Sequence, residues 1–213
     1  MNMIIEPKMN ILLEVLTQKL QDHFLKEETI KNKEIISDTL KSFSLEEIEI
    51  HSCTLKNIKF ENCHLEKAYF FNTIFENCDL SNIDLSKASL KQVLFKNCNL
   101  IGARLEDAYI ENVKWIDCNL NNSFLQESAM VRVHFQNTLL KESLLSSVTL
   151  KNVTFDETNL TACDFSKTKL SGIDLSTCVI DGITVYPNDI YGVILNEYQA
   201  IPFLKILGIK IKS

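Results

Sequence analysis

From Ile30 to Leu195 every fifth residue is large and apolar, 34 consecutive positions without an exception. At 46% apolar composition, chance gives such a run a probability on the order of 10⁻¹¹. Two residues before each of them runs a second column. From Ile48 to Ile183 it holds only Cys, Ala, Ser, Thr, Val or Ile, in all 28 repeats. The other three positions of each five are mostly polar. A period of five fits neither a helix, at 3.6, nor a strand, at 2. Two inward positions in five instead predict a chain that turns a corner every five residues. Four sides then close a twenty-residue coil, and coils stack by lateral hydrogen bonding about 4.8 Å apart.

The segments CDLSNIDLSKASL (Cys78 to Leu90) and CDFSKTKLSGIDLS (Cys163 to Ser176) resemble the A(D/N)LXX signature of the pentapeptide-repeat family. The resemblance covers roughly Glu46 to Val185. It implies an all-β solenoid, the right-handed quadrilateral β-helix, rising about 34 Å over seven coils.

Several residue types find their place in this scheme. All seven cysteines, 53, 63, 78, 98, 118, 163 and 178, stand at the small inward position, where a thiol serves as a compact core filler. No CxxC pair or histidine partner gives them metal-ligand spacing. Phe75, Phe95, Trp115, Phe135 and Phe155 fall twenty apart and predict a stacked aromatic spine. Corners need a residue tolerant of positive φ, and between Glu46 and Val185 Asn stands two places after the large residue ten times. Gly takes that place at 102, 172 and 182, which explains how the chain manages with only 5 Gly and 3 Pro.

The chain divides into residues 1–45, a helical cap and an irregular first coil; 46–185, the repeat; and 186–213, a helix and a short strand. Asn10 to Leu25 has apolar residues at 12, 13, 16, 20 and 24, which predicts an amphipathic helix with Asn10 as N-cap. Residues 26–47 keep the large-residue phase but carry Glu28, Lys33 and Asp38 at the small position. Near the other end Asn196 is placed to cap a helix through about Ile206, with Gly208 as its stop. Pro202 predicts a kink or a late start, and the alternation around Ile209 and Ile211 predicts a strand.

Charge is mildly acidic, 28 acidic against 22 basic residues for net -6, which argues against direct nucleic-acid binding. No apolar stretch is long enough to span a membrane. Met1 to Lys8 lacks the pattern of an export signal, so a cytoplasmic protein with reduced thiols is expected. His23, His51, His64 and His134 fall in different phases and on different sides. No GxSxG, P-loop, HExxH or GxGxxG occurs. Neither an enzyme nor a cofactor or metal site is expected. Within the repeat, the side over Leu65, Leu85, Leu105 and Leu125 gathers Glu66, Asp84, Glu106, Asp107, Glu127 and Asp164. Counting Glu46 and Glu47 against four bases, that side is net -4, whereas the side over Phe70, Leu90, Ile110 and Met130 is +2.

The string Tyr198, Gln199, Ala200, then Leu207, Gly208, Ile209 resembles the C-terminal module of Qnr-type members of the family. That likeness implies a homodimer joined end to end through Tyr198, Leu204, Leu207, Ile209 and Ile211. The unbroken phase resembles the loop-free mycobacterial and Gram-positive relatives. It implies a duplex-DNA mimic that binds DNA gyrase or topoisomerase IV through its acidic side, inhibiting the enzyme or protecting it from quinolones. The alternative is a scaffold or immunity protein for an unrelated partner, with the acidic side only a solvated surface.

Overall fold

The computed structural model describes residues 3–9, 13–25, 29–206 and 208–210. Its strands are β1 (Glu14–Val15), β2 (Thr29–Lys31), β3 (Lys33–Ile36), β4 (Thr39–Lys41), β5 (Glu49–His51), β6 (Thr54–Lys56), β7 (Lys59–Glu61), β8 (Tyr69–Glu76), β9 (Ser89–Lys96), β10 (Tyr109–Ile116), β11 (Ala129–Gln136) and β12 (Thr149–Asp156). Among the described residues two helices accompany them, α1 (Leu20–Phe24) and α2 (Glu197–Ile206). From β2 onwards all pairing is parallel at an offset of twenty, as in Phe75↔Phe95, Phe95↔Trp115 and Trp115↔Phe135. The chain is therefore a four-sided β-solenoid. Two adjacent sides are bridged by the eight-residue strands β8 to β12, each bent at its middle. The other two sides are ladders of single bridges, such as His64↔Asp84↔Arg104↔Phe124↔Leu144↔Asp164.

The bend comes from the backbone. Every corner from Asn32 to Gly172 has positive φ, and 27 of the residues there or in the same phase are not glycine. Asn visits this left-handed region easily, whereas Lys87, Gln92, Arg132 and Glu127 enter it against a cost of about 1–2 kcal/mol. Lateral bonding from coil to coil fixes these residues where their own preference would not. On the single-bridge sides the corner is a closed turn: the amide of Ala68 donates to Leu65 O at 3.2 Å, and that of Ala103 to Leu100 O at 3.0 Å.

From Ile48 to Val185 both inward columns are buried, with Leu150 alone half-buried. Phe75, Phe95, Trp115, Phe135 and Phe155 stack with centroids 4.9, 5.6, 4.7 and 5.0 Å apart and planes within 12° of parallel. Cys, Ser and Thr at the small position do more than fill space. Most donate to the carbonyl of a large inward residue one coil below, whereas Ser128 donates to Leu125 O in its own turn and Ser123 to Ser143 Oγ. Cys98 reaches Phe75 O (3.5 Å), Cys118 Phe95 O (3.5 Å), Thr138 Trp115 O (3.2 Å) and Thr158 Phe135 O (3.2 Å). A buried carbonyl left without a donor costs about 1–3 kcal/mol, so these side chains satisfy the core as well as pack it.

The N-terminal segment departs from expectation. Of the helix predicted over Asn10 to Leu25, the described residues show helix at Leu20–Phe24 alone, and residues 10–12, the proposed cap Asn10 among them, lie outside the described residues. Glu14–Val15 is a strand on β3 instead, with Leu16 N–H donating to Glu34 O at 2.9 Å. An open solenoid edge offers a row of unpaired backbone groups, and pairing with it outweighs a short helix with few buried residues. The twenty-residue register also reaches back to Thr29. Lys33 and Asp38, polar at the small position, serve the cap: Lys33 pairs with Glu14, and Asp38 Oδ2 accepts from Leu20 N–H at 2.6 Å.

At the other end Asn196 caps α2 as expected. Its Oδ1 accepts from the amides of Tyr198 (3.0 Å) and Gln199 (3.1 Å), and its own amide donates to Gln199 Oε1 at 2.9 Å, a reciprocal capping box. The buried Gln199 amide then donates to Leu175 O (2.9 Å) and Cys178 O (2.8 Å), fastening α2 to the last coils. Pro202 sits inside the helix without ending it. Gly208, at φ +75°, donates to Lys205 O while Ile209 donates to Leu204 O, a Schellman stop.

Candidate functional site

With the interior filled, the chemistry the rod offers lies on its sides and ends. Asp84 and Asp164 share the single-bridge ladder over the Leu65 column, and Glu66, Glu106, Asp107 and Glu127 stand on the turns beside it. The six acidic residues thus occupy one side and its corner. They do not form a continuous row, because Arg104, Phe124 and Leu144 separate Asp84 from Asp164.

Arg104 neutralises part of this side. Its Nη2 lies 3.1 Å from Glu106 Oε1, its Nε lies 3.7 Å from Asp84 Oδ2, and its guanidinium covers the Phe124 ring at 5.8 Å. Lys67 pairs with Glu46 at 2.7 Å and Glu47 at 3.5 Å; its hydrogen bond holds the Glu46 carboxyl below its ordinary range. Asp84 and Asp164 are also turned into their own backbone, accepting from the amides of Ser86 (3.0 Å) and Ser166 (2.8 Å). Glu66, Asp107 and Glu127 form no ion pair among the described residues. Asp107 and Glu127 are exposed at left-handed corners, φ 57° and 60°, which project from the edge of the rod. Arg104 and Lys67 thus pair with four of the eight carboxylates of this side, a pairing set by side-chain reach within and between coils and not by the sum of charges.

All seven thiols are free and buried. Hydrogen bonding to Cys118, with burial, pushes Cys98 up to about 12, and burial pushes Cys163 up to about 12. Among the described residues no three His, Cys, Asp or Glu side chains converge on a metal-sized site. His51, His64 and His134 are dispersed: His51 meets Glu49 at 3.0 Å, His64 lies 3.9 Å from Asp84, and His134 belongs to β11.

The C-terminal end is apolar and open. Tyr198 is 82% exposed, Tyr191 85% and Ile201 52%. Leu204 lines a cavity of about 350 Å³ together with Ile190, Val193, Leu195 and Phe203. Ile209 is exposed beside them, whereas Leu207 and Ile211 lie outside the described residues.

The model of the pentapeptide repeat region matches residues 68–145 and again 108–185, together more than half of the chain. The chain belongs to the pentapeptide-repeat family. Among solved members of this fold, a trypsin-treated form of QnrB1, a plasmid-mediated fluoroquinolone resistance protein, is 19% identical. The match covers 84% of this chain and all of that one, with a TM-score of 0.43. HetL, a pentapeptide-repeat protein involved in heterocyst differentiation regulation in the cyanobacterium Nostoc, is 13% identical over 83% of this chain and 95% of that one, TM-score 0.37. A pentapeptide-repeat protein of the Arabidopsis thaliana thylakoid lumen is 18% identical over 62% and 72%, TM-score 0.34. No curated protein sequence matches the chain at a significant level. At such identities the likeness is one of fold. What this pentapeptide-repeat protein recognises must be read from its own surface.

Proposed function

We propose that the rod is a protein-binding element of the cytoplasm, not a catalyst, and that it docks on a type II topoisomerase, DNA gyrase or topoisomerase IV, in place of duplex DNA. In this reading it acts as a homodimer joined at its C-terminal ends, and it inhibits the enzyme or protects it from quinolones as the Qnr-type resemblance implies. The observation that carries the proposal is the group Glu66, Asp107 and Glu127, carboxylates that form no ion pair among the described residues, on a corner of the rod shared with Lys67, Lys87 and Lys167. A side of net -4 suits a basic saddle built for DNA. Charge alone is a weak copy, since 34 Å of B-DNA carries about 20 phosphates. Shape must therefore supply much of the recognition. A second reading, a scaffold or immunity protein for an unrelated partner, is favoured by the mixed centre of the same side, where Arg104, Phe124 and Leu144 follow one another.

A supercoiling assay with purified gyrase, and a relaxation assay with topoisomerase IV, separate the two. The topoisomerase reading expects inhibition at about 10 µM protein or below, an affinity ordinary for a specific interface. It also expects the double variant Asp107→Lys/Glu127→Lys to weaken inhibition at least tenfold. Full activity of both enzymes in the presence of the protein would leave the scaffold reading standing. Undiminished inhibition by the variant would move the contact to another side.

A further inference from the structure

Residues 3–9 lie along the rod, away from the cap they lead into. Lys8 N–H donates to Asn72 Oδ1 at 2.6 Å, and Asn72 Nδ2 donates back to Lys8 O at 3.1 Å. Two coils further on, Ile5 N–H donates to Asn112 Oδ1 at 3.3 Å, and the Glu6 carboxylate pairs with Lys114. Three residues thus span two coil spacings, about 9.6 Å, which is the reach of extended backbone. Asn72 and Asn112 are corner residues, at φ 51° and 54°, between the two sides bridged by β8 to β10. Their amides read main chain, and the pair with Lys8 is two-point, as one strand reads another.

The surface beside these anchors is shaped for an occupant. Along the aromatic spine the outward position just before it is polar at Lys114, His134 and Thr154 but apolar at Ile74 and Leu94, two coils that the arm traverses. Ile74 and Leu94 are only half-exposed, as are Ile4 and Pro7 of the arm. The corner column is covered as well: Asn112 is 5% exposed, whereas the corners at Asn77, Asn97, Asp117 and Asn137 are open. Arg132 helps, its Nε donating to the same Asn112 Oδ1 at 2.8 Å.

We propose that this corner is a peptide-binding groove for an extended partner segment with the pattern apolar, apolar, acidic, proline, and that the arm, Ile4-Ile5-Glu6-Pro7, is its resident competitor. Asn72 and Asn112 hold the backbone of the occupant, Ile74 and Leu94 receive its apolar residues, and Lys114 selects the acid. Proline suits the place between anchors because no amide is needed there. Release of the arm opens the groove. The inference stands independently of the topoisomerase reading.

The test uses the full chain and a fluorescein-labelled peptide with the sequence of residues 1–10. In the variant Ile4→Asp/Glu6→Ala the arm gains a charge at half-buried Ile4 and loses its ion pair with Lys114, while Asn72, Asn112, Ile74 and Leu94 are unaltered. Fluorescence anisotropy is expected to show saturable binding at micromolar to sub-millimolar peptide. Binding to the unaltered protein is expected to be at least tenfold weaker, because a tethered competitor acts at an effective concentration of about millimolar. Adding Lys114→Glu to the variant is expected to weaken peptide binding at least tenfold. No binding to the variant up to 1 mM peptide, equal binding to variant and unaltered protein, or indifference to Lys114→Glu would each overturn the proposal.

Discussion

At the scale of single residues, the interior of the rod is a ladder in which each side chain answers the one twenty places away. Trp115 is the exception that tests the rule. It stacks between Phe95 and Phe135 with planes 4° from parallel, yet its Nε1–H is buried without a hydrogen-bond partner. The column is otherwise phenylalanine, which fills the same slot with no donor to satisfy. Replacing Trp115 by Phe removes an orphaned donor worth about 1–3 kcal/mol and gives back part of that in lost ring area. Trp115→Phe is therefore expected to unfold within about 1 kcal/mol of the parent, while Trp115→Ala is expected to lose about 3–5 kcal/mol. Urea titrations followed by circular dichroism make the comparison, since Trp115 is the only tryptophan. A Phe variant that loses as much as the Ala variant would mean that the indole has a partner.

At the scale of the repeat element, the corner decides what each five residues tolerate. Gly102 and Gly182 both occupy it, at φ 67° and 68°, so an added Cβ meets the same backbone strain at each, about 1–2 kcal/mol. Their surroundings differ. A Cβ at Gly102 would collide with Asn82 Oδ1, whereas nothing lies within 4 Å at Gly182. Gly102→Ala is expected to lower stability more than Gly182→Ala, with the excess set by how far Asn82 can swing aside; equal losses in matched thermal melts would show that Asn82 moves freely. The same contrast explains what the sequence made legible. The period, both inward columns, the aromatic spine, the Asn196 cap and the corner role of Asn57, Asn62, Asn72, Asn77 and Asn82 follow from residue type and spacing. The left-handed state of Lys87, Gln92 and Arg132 does not, because lateral bonding imposes it. The donor role of Cys98 or Thr138 was hidden behind their small size. Residues 14–15 misled because an apolar pattern fits helix and edge strand alike, and the open edge decided between them. The acidic side was legible as a sum but not as a surface, since Arg104 and Lys67 act from neighbouring coils.

At the scale of the whole molecule, a solenoid is close to one-dimensional: each coil contacts only its neighbours, so its ends are both its weak points and its free surfaces. The C-terminal end carries these two roles on adjacent residues of α2. Tyr198 points outward, 82% exposed, beside Tyr191 and Ile201. Gln199 points inward, its amide satisfying the carbonyls of Leu175 and Cys178. If the end joins two subunits, Tyr198→Arg is expected to give a monomer in analytical ultracentrifugation with an unchanged melting temperature, because the Tyr198 side chain is exposed and only its backbone amide takes part in the Asn196 cap. Gln199→Ala is expected to do something different: it takes from Cys178 O its side-chain donor and leaves Leu175 O with the Cys178 amide alone, a loss of about 1–3 kcal/mol, confined by nearest-neighbour coupling to the last coils. Hydrogen exchange should then quicken between residues 170 and 195 while β8 to β12 keep their protection. An unaltered protein that already sediments as a monomer would remove the dimer from the proposal. Exchange that quickened evenly along the whole rod in Gln199→Ala would mean that the coils melt as one unit, and that the end is a keystone for the entire molecule.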